Sequence, residues 1–204
     1  MAKLDPDVIP FQELCVDGSE NMIGFIRSGL RSRGYAYKSY VKVYTHKAWD
    51  KYDEYMLMFS KHNAQKTQRG SLPHSPLKRS YQAMKIADSW FVNVHLEHRR
   101  DYHPYRENQV KFLISNFKNE KHIIMGDFNS SPFDREQKAF HNLGYTNYFP
   151  SLTHPQPKPT RAIDGFWISP TLHARSVEAK SLFKNTVDGV HLSDHLGVFI
   201  KFTH

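Results

Sequence analysis

The stretch Ile123-Ile124-Met125-Gly126-Asp127-Phe128-Asn129 holds the pattern that decides the fold prediction. Three large apolar residues predict a short buried strand, and Gly126 ends it abruptly. Polar side chains that directly follow a buried strand are presented by a rigid sheet to a cleft, so Asp127 and Asn129 are candidate site residues. Gly, Asp and Asn are also the commonest turn formers, so the motif taken alone also fits a plain turn.

Polar residues adjoin further apolar segments in the same way. They are Glu13 after Val8–Phe11, His95 after Val92–Val94, Asp164 after Ile163, and Asp194 with His195 before Val198–Phe202. Each has an ordinary interpretation on its own: a solvated strand end for Glu13, a core histidine for His95, and a capping turn for Ser193-Asp194-His195. Their recurrence beside strands predicts one shared cleft.

The apolar periodicity predicts more strands than helices, with the helices between strands. Strands are predicted at Val8–Phe11, Tyr35–Tyr44, Tyr55–Ser60, Tyr81–Ile86, Trp90–Leu96, Ile123–Met125, Gly165–Ser169 and Leu196–Phe202, and helices at Asn21–Leu30 and Arg106–Phe117. Lys61–Lys78 is predicted to be an exposed basic loop, and Pro150–Pro159 is too rich in proline for either element. This order of elements is typical of an α/β layered protein.

Composition predicts one domain over residues 1–204, because no shift in composition marks a boundary. We also expect a monomer. The single cysteine, Cys15, excludes an internal disulfide framework and indicates a reducing, intracellular compartment, cytoplasmic or nuclear. No apolar run approaches the roughly 18 residues that a membrane-spanning helix needs. Met1–Glu13 lacks the long apolar stretch of a secretory signal.

The charge balance favours a polyanionic partner. The chain has 28 Lys and Arg against 20 Asp and Glu, a formal charge of +8, and nucleic acid is the usual partner of such an excess. The same charge could instead only keep the surface soluble. Arg99 and Arg100 follow the His95 strand and are candidate contacts for a substrate phosphate, although two solvated loop arginines would look the same.

The residue types at the predicted strand ends suit hydrolysis of a phosphate ester. Mg²⁺ typically binds one or two carboxylates together with the phosphate of its substrate. A phosphate ester needs its charge neutralised, a water aimed in line, and a donor to its oxygens. Carboxylate, amide and imidazole side chains that meet in one cleft could supply all three.

Five motifs, spread from the beginning to the end of the chain, resemble those of the endonuclease/exonuclease/phosphatase superfamily. They are Pro6-Asp7-Val8-Ile9-Pro10-Phe11-Gln12-Glu13, Asn93-Val94-His95-Leu96-Glu97, Gly126-Asp127-Phe128-Asn129, Arg161-Ala162-Ile163-Asp164 and Ser193-Asp194-His195. The Gly-Asp-Phe-Asn and Ser-Asp-His motifs form the most specific pair. The resemblance implies a four-layer α/β sandwich, in which two mainly antiparallel sheets are flanked by helices.

The resemblance also implies a metal and a base. Glu13 would be a metal ligand, and Asp194 would lie beside the metal, which we expect to be Mg²⁺ with Mn²⁺ as the alternative. Asp127 would orient and deprotonate the attacking water. Asn129 would hold both Asp127 and the phosphate.

Two histidines would contact the phosphate in the same comparison. His195 would bind a non-bridging oxygen and stabilise the pentacovalent state, and Asp164 would orient its ring. His95 would be a further phosphate contact, and Asn93 of the same motif is a candidate substrate contact. The helix that begins at Arg106-Glu107-Asn108-Gln109 is expected to brace the site through Arg106 and Gln109.

One part of the family pattern has no counterpart. A strand normally precedes the Gln-Glu motif and carries an Asn that helps to hold metal and phosphate, yet only about ten residues precede Gln12 here. We therefore expect an N-terminally shortened domain with an exposed sheet edge. A gene fragment or wrong start, a strand supplied by a partner, and a degenerate copy are the three open explanations, and the first is favoured because the other motifs are intact.

The sequence thus predicts a Mg²⁺-dependent phosphodiesterase or nuclease that acts on nucleic acid. A phosphatase or phosphodiesterase acting on a small or lipid-headgroup phosphate is the alternative within enzymes. An inactive domain that binds nucleic acid or a partner is the alternative outside them. The same site residues serve different substrates across the family, so DNA, RNA, endo- and exo-action stay open.

Overall fold

The computed structural model describes residues 4–16, 22–48 and 51–203 of the chain. The strands are β1 (Val8–Val16), β2 (Ser39–Ala48), β3 (Tyr52–Ser60), β4 (Lys66–Ser71), β5 (Ser80–Ile86), β6 (Ser89–His95), β7 (Lys121–Asp127), β8 (Thr146–Tyr148), β9 (Asp164–Ile168), β10 (Arg175–Leu182) and β11 (Gly197–Thr203). The α-helices are α1 (Met22–Arg31), α2 (His103–Asn116) and α3 (Lys138–Asn142), and short 3₁₀ helices span Arg100–Tyr102 and Arg135–Gln137. Within those ranges, none of the helices has the length and apolarity to cross a membrane.

A six-stranded sheet in the order β4-β5-β6-β7-β9-β8 forms the centre of the molecule. Its neighbours are antiparallel except for β6 and β7, which run parallel. A parallel pair needs a crossover connection, and α2 lies on that connection. The carboxyl ends of β6 and β7 therefore meet at one edge of the sheet.

Helices and strands cover opposite faces of this sheet. On one face, Val92 and Val94 of β6 are in a buried cluster with Val110 and Leu113 of α2 and with Phe140 of α3. On the other face, β7 and β9 residues form a second cluster with apolar residues of the smaller sheets, namely Val41, Met58, Val8, Val198 and Ile200. The layered α/β sandwich expected from the sequence is confirmed.

The layer opposite the helices is divided into two sheets, whereas the sequence predicted one. A three-stranded sheet has the order β1-β3-β2, and β10 pairs with β11 in a separate hairpin. Within the described residues, β1 pairs only with β3 and β11 only with β10. Both strands line one cavity of about 1670 Å³, whose other lining residues include Ile123, Met125 and Phe166. Among the described residues, β1 and β11 thus each have one edge without a strand partner.

Most predicted elements overlap the observed ones, but β8, β10 and α3 were not predicted, and one predicted loop contains a strand. Lys66–Ser71 is strand β4, although Lys61–Lys78 was predicted to be a loop. This edge strand has no buried residue, so it carries no apolar alternation from which a strand could be read. Asn21, the predicted start of the first helix, lies outside the described residues.

Candidate active site

Three candidate residues lie side by side across neighbouring strands. In the sheet register, His95 at the end of β6 pairs with Asp127 at the end of β7, and Asp127 pairs with Asp164 at the start of β9. Gly126 allows this close approach, because a Cβ atom there would lie 2.1 Å from the carbonyl oxygen of Val94, and its φ is +134°. The backbone alone therefore places an imidazole and two carboxyls at one level.

Asp127 is held in place by the residues that follow it. Its Oδ1 accepts the backbone N–H of Asn129 at 2.7 Å, and its Oδ2 accepts the Asn129 side-chain amide at 3.1 Å. The same amide nitrogen donates to the carbonyl of Leu96 at 3.0 Å, which fixes the loop to the end of β6. Burial of the carboxyl, reinforced by the negative charge of Asp164, raises the pKa of Asp127 to about 8.

His195 lies in the loop before β11 and faces Asp164. Its Nδ1 lies 2.9 Å from Oδ2 of Asp164. Burial of the ring lowers the pKa of His195, but the hydrogen bond and charge of Asp164, helped by the charges of Asp127 and Asp194, outweigh it and raise that pKa to about 9. The site therefore holds a cationic imidazole at neutral pH.

His95 is fully enclosed and has the opposite electrostatic character. Its Nε2 lies 3.5 Å from Oδ2 of Asp127 and 3.5 Å from Oε1 of Glu13. Burial, followed by the positive charge of Arg79 against its other nitrogen, holds the pKa of His95 well below its usual range. His95 is therefore neutral where His195 is charged.

Glu13 reaches the same cleft from β1. The pairing of β1 with β3 shifts register between Phe11 and Leu14, and Glu13 has a positive φ of 53° within this bulge. A bulge redirects a side chain that would otherwise follow the strand alternation. Partial loss of water around its carboxyl, and then the negative charge of Glu54, raise the pKa of Glu13.

Two groups of described side chains bring potential ligand atoms within 4.8 Å of one another. They are Asp127, Asp164 and His195, and His154, Asp194 and His195. Asp194 therefore lies beside His195 and His154, as its Oδ2 is 3.7 Å from Nε2 of His154. Glu13 is in neither group, although it lines the same cavity as Asp194. The two predicted metal residues thus share the cleft but not one preformed cluster.

Residues around the cleft brace it from behind. The buried Arg106 donates from Nη1 to the carbonyls of Glu97 and Arg99 and pairs through Nη2 with Glu136 at 2.7 Å. Gln109 accepts the backbone N–H of Glu97 at 3.2 Å. Both residues of α2 therefore fix the segment after His95 and have no contact with the cleft, as the sequence predicted.

Of the predicted substrate contacts, Asn93 and Arg99 do not line the cavity. Asn93 is fully buried, accepts a hydrogen bond from Gln12 and donates to the carbonyl of Phe11 at 3.1 Å. Its amide thus ties β6 to β1, and a substrate-binding role does not fit that position. Arg99 is exposed, and its guanidinium lies over the ring of Tyr102. The side chain of Arg100 lies outside the described part of the structure.

Two residues at the cleft were not found from the sequence. Arg79 precedes β5 and contacts His95, and the ring of His154 lies against that of His195, tilted by 42° with 4.5 Å between centroids. Arg79 lay next to the stretch predicted as a loop, and His154 lies in the proline-rich segment. No local pattern marks either one, because their partners come from distant parts of the chain.

Solved structures with the same fold cover nearly the whole chain. An endonuclease/exonuclease/phosphatase family protein from Leptotrichia buccalis matches with a TM-score of 0.82 at 17% identity, over 100% of this chain and 89% of its own. D. rerio TDP2 complexed with a single-strand DNA product matches with a TM-score of 0.71 at 17% identity, over 100% and 88%. The 3′ phosphatase NExo from Neisseria, bound to a product DNA hairpin, matches with 0.68 at 19% identity, over 98% and 90%.

The family itself is established by sequence. No curated protein matches the chain. The model of the Endonuclease/Exonuclease/phosphatase family matches residues 1–195, which is nearly the full length and includes every motif quoted above. With the fold and the grouping of Asp127, Asp164 and His195 already in place, this match shows that the chain belongs to the endonuclease/exonuclease/phosphatase family.

Proposed function

We propose that the chain is a divalent-metal-dependent phosphoester hydrolase, specifically a phosphodiesterase or nuclease that acts on nucleic acid. The observation that carries the proposal is the grouping of Asp127, Asp164 and His195 within 4.8 Å. One carboxyl is braced by an amide, and one imidazole is braced by a carboxylate, in a single cleft. Such a pair can accept a proton and stabilise a developing negative charge in the same step.

Asp127 acts as the base in this proposal. Both of its oxygens are oriented by Asn129, so the carboxyl is preorganised to aim an attacking water. A pKa of about 8 is suited to proton transfer near neutral pH. Asn129 holds Asp127 in this proposal. Both of its amide hydrogens are taken, by Asp127 and by the carbonyl of Leu96, so a hydrogen bond to phosphate would require one of them to be exchanged.

His195 stabilises the negative charge that develops on phosphate. Its Nδ1 is occupied by Asp164, which leaves Nε2–H to donate to a non-bridging oxygen. His95 presents its Nε2 from the opposite side of Asp127. The two rings could therefore hold two oxygens of one phosphate.

The donor set fits a hard divalent cation. Glu13 and Asp194 would hold Mg²⁺, or Mn²⁺, through carboxylate oxygens, which is the ligand type that such ions prefer. Burial, and then the negative charge of neighbouring carboxylates, raises the pKa of both Glu13 and Asp127, and a bound cation would favour their charged forms. Bound there, the ion would neutralise phosphate charge and acidify water.

Nucleic acid is the proposed substrate because of the positive net charge of the chain and its similarity to structures that contain DNA. The chain carries +8, and two of its structural relatives are described in complexes with DNA. Arg99 stays a proposed phosphate contact for a substrate long enough to extend beyond the cavity, since its side chain is exposed. An intracellular location, supported by the single Cys15, is part of the same proposal.

The test is product release from a labelled oligonucleotide with Mg²⁺, with and without chelator. We expect cleavage that chelator stops and that Asp127→Asn and His195→Ala each reduce by roughly 10²-fold or more. Glu178→Gln and His173→Ala are the matched controls, because both side chains are exposed and neither lines the cavity. Cleavage that survives both site substitutions would refute the proposed site.

A phosphomonoesterase acting on a nucleic-acid end is the second candidate. It is favoured by the likeness to the 3′ phosphatase from Neisseria. Oligonucleotides with a 3′-phosphate and oligonucleotides with only internal phosphodiesters separate the two activities. Metal-independent binding without product from either substrate would instead favour an inactive binding domain.

A further inference from the structure

A buried arginine lies directly behind His95. The side chain of Arg79 is 4% exposed, and its Nη1 lies 2.8 Å from Nδ1 of His95. Its Nη2 lies 3.2 Å from Nδ1 of His98. Glu54 is the nearby counter-charge, with Oε1 at 3.7 Å from Nη1. The guanidinium thus contacts two imidazoles and one carboxylate, and none of these contacts is explained by the proposed chemistry.

The position of Arg79 is fixed by its surroundings. Its carbonyl accepts the backbone N–H of Leu72 at 2.8 Å, and its own N–H donates to Oγ of Ser75. Ser75 in turn donates to the buried carboxylate of Glu97. Glu54 is held by Oγ1 of Thr45 at 2.8 Å. These contacts hold the guanidinium of Arg79 in a fixed position beside His95.

This contact determines which nitrogen of His95 carries the proton. A guanidinium has only donors and stays protonated in proteins, so it can only donate to His95. Nδ1 of His95 must then be the acceptor with a free lone pair. The proton lies on Nε2, the nitrogen that is 3.5 Å from Oδ2 of Asp127 and 3.5 Å from Oε1 of Glu13.

His95 and His195 are oriented by groups of opposite charge. Nδ1 of His195 faces the carboxylate of Asp164, and Nδ1 of His95 faces the guanidinium of Arg79. A carboxylate stabilises an imidazolium, and a guanidinium opposes one. Both rings direct Nε2–H towards the cleft, but only one of them does so as a cation.

We propose that Arg79 is a positioning residue that fixes the tautomer of His95, with the lone pair on Nδ1 and the proton on Nε2. His95 then offers Nε2–H to substrate as a hydrogen-bond donor. The consequence for turnover rests on the proposed function, whereas the tautomer does not. It can therefore be tested without any substrate.

The test is the long-range ¹H–¹⁵N NMR spectrum of uniformly ¹⁵N-labelled protein. In this spectrum, protonated imidazole nitrogens and those with a free lone pair differ in ¹⁵N chemical shift. The His95 signals are assigned by their loss in His95→Gln. We expect Nε2 to be protonated and Nδ1 to be the acceptor in the unsubstituted protein. In Arg79→Met we expect protonation to appear on Nδ1, while Arg79→Lys, which keeps a cationic donor, retains the Nε2–H form. A His95 that is protonated on Nδ1 in the unsubstituted protein would overturn the proposal, even if Arg79→Met fails to fold.

Kinetics provide the second measurement once a cleaved substrate is found. We expect Arg79→Met to lower kcat roughly 10- to 100-fold with a smaller change in KM, as for other residues that orient a functional ligand, and Arg79→Lys to recover part of the loss. Arg69→Met is the matched control, because Arg69 is an exposed residue of β4 whose Nη1 donates to the carbonyl of Lys42 at 3.0 Å. A loss of kcat with an unchanged His95 tautomer would contradict the positioning role. Absence of any cleavage would count against the proposed function and leave the spectroscopic result standing.

Discussion

Nδ1 of His195 lies 2.9 Å from Oδ2 of Asp164, so an imidazole on the loop before β11 is fixed by the first residue of β9. A carboxylate in this position selects the tautomer of the ring and stabilises its cation. Asp164 is itself fixed by its register with Asp127 in the sheet. The orientation of His195, a loop residue, is therefore set by the six-stranded sheet.

Replacing Asp164 tests whether this pair works as a unit. In Asp164→Asn we expect the pKa of His195 to fall from about 9, because burial of the ring then has less opposition. We expect turnover to fall roughly 10²-fold or more. The pKa is measured by titration of the His195 ring protons in NMR spectra, and turnover by product release from the labelled oligonucleotide.

A double-mutant cycle supplies the control. If Asp164 acts through His195, the double variant Asp164→Asn/His195→Gln should be about as slow as the slower single variant. Losses that simply add in free energy would show that the two side chains act independently.

Asn129 allows side-chain and backbone effects to be separated. Its φ is +52°, and its amide braces Asp127 and the carbonyl of Leu96. Asn129→Gly removes the amide but suits the backbone, whereas Asn129→Ala also adds strain of about 1 kcal/mol. We expect both variants to lose activity to a similar extent, and both to lose stability because the amide is gone, the alanine variant by about 1 kcal/mol more. Full activity in Asn129→Gly would contradict the bracing role; urea unfolding and product release measure the two effects.

Much of the site could be predicted from sequence because its residues directly adjoin buried strands. The abrupt end of β7 at Gly126-Asp127 and the end of β6 at His95 are local patterns, and the sheet register brings them together. Glu13 was placed correctly in the cleft, although the bulge that turns it there leaves no mark in the sequence.

Contacts between distant segments could not be predicted in this way. Arg79 reaches His95 only because of the turn before β5, and Asn93 turns to β1 instead of the cleft. β4 has no buried residue, so its sequence lacks the apolar alternation that predicts a strand. Strand pairing decides each of these, and pairing depends on the whole sheet.

Metal binding is expected to depend on Glu13 and Asp194. We expect Mg²⁺ or Mn²⁺ to raise the melting temperature by binding the folded state, and Glu13→Gln and Asp194→Asn each to reduce that increase. The readout is thermal unfolding with and without the ion. Glu178→Gln is a suitable control, because Glu178 lies on β10 and pairs with Lys180. An increase that persists in both site variants would place the ion elsewhere.

His122 is expected to make stability fall in mild acid. Its ring is buried, with Nδ1 2.7 Å from the carbonyl of Glu120 and Nε2 2.8 Å from the hydroxyl of Tyr145. Burial lowers the pKa of His122 in the folded state, so below about pH 6.5 the unfolded chain binds a proton that the folded one does not. The free energy of unfolding should therefore decrease as pH falls through that value. Urea unfolding from about pH 7.5 to about pH 5.5 measures this slope. His122→Gln should reduce the slope, whereas His173→Gln, at an exposed position, should not.

A second variant tests the hydrogen bond to His122. Tyr145→Phe leaves Nε2 of His122 without its donor and should lower the free energy of unfolding by about 1 kcal/mol or more at the upper pH. An unchanged slope in His122→Gln would assign the acid sensitivity to other buried histidines, of which His95 is the most enclosed.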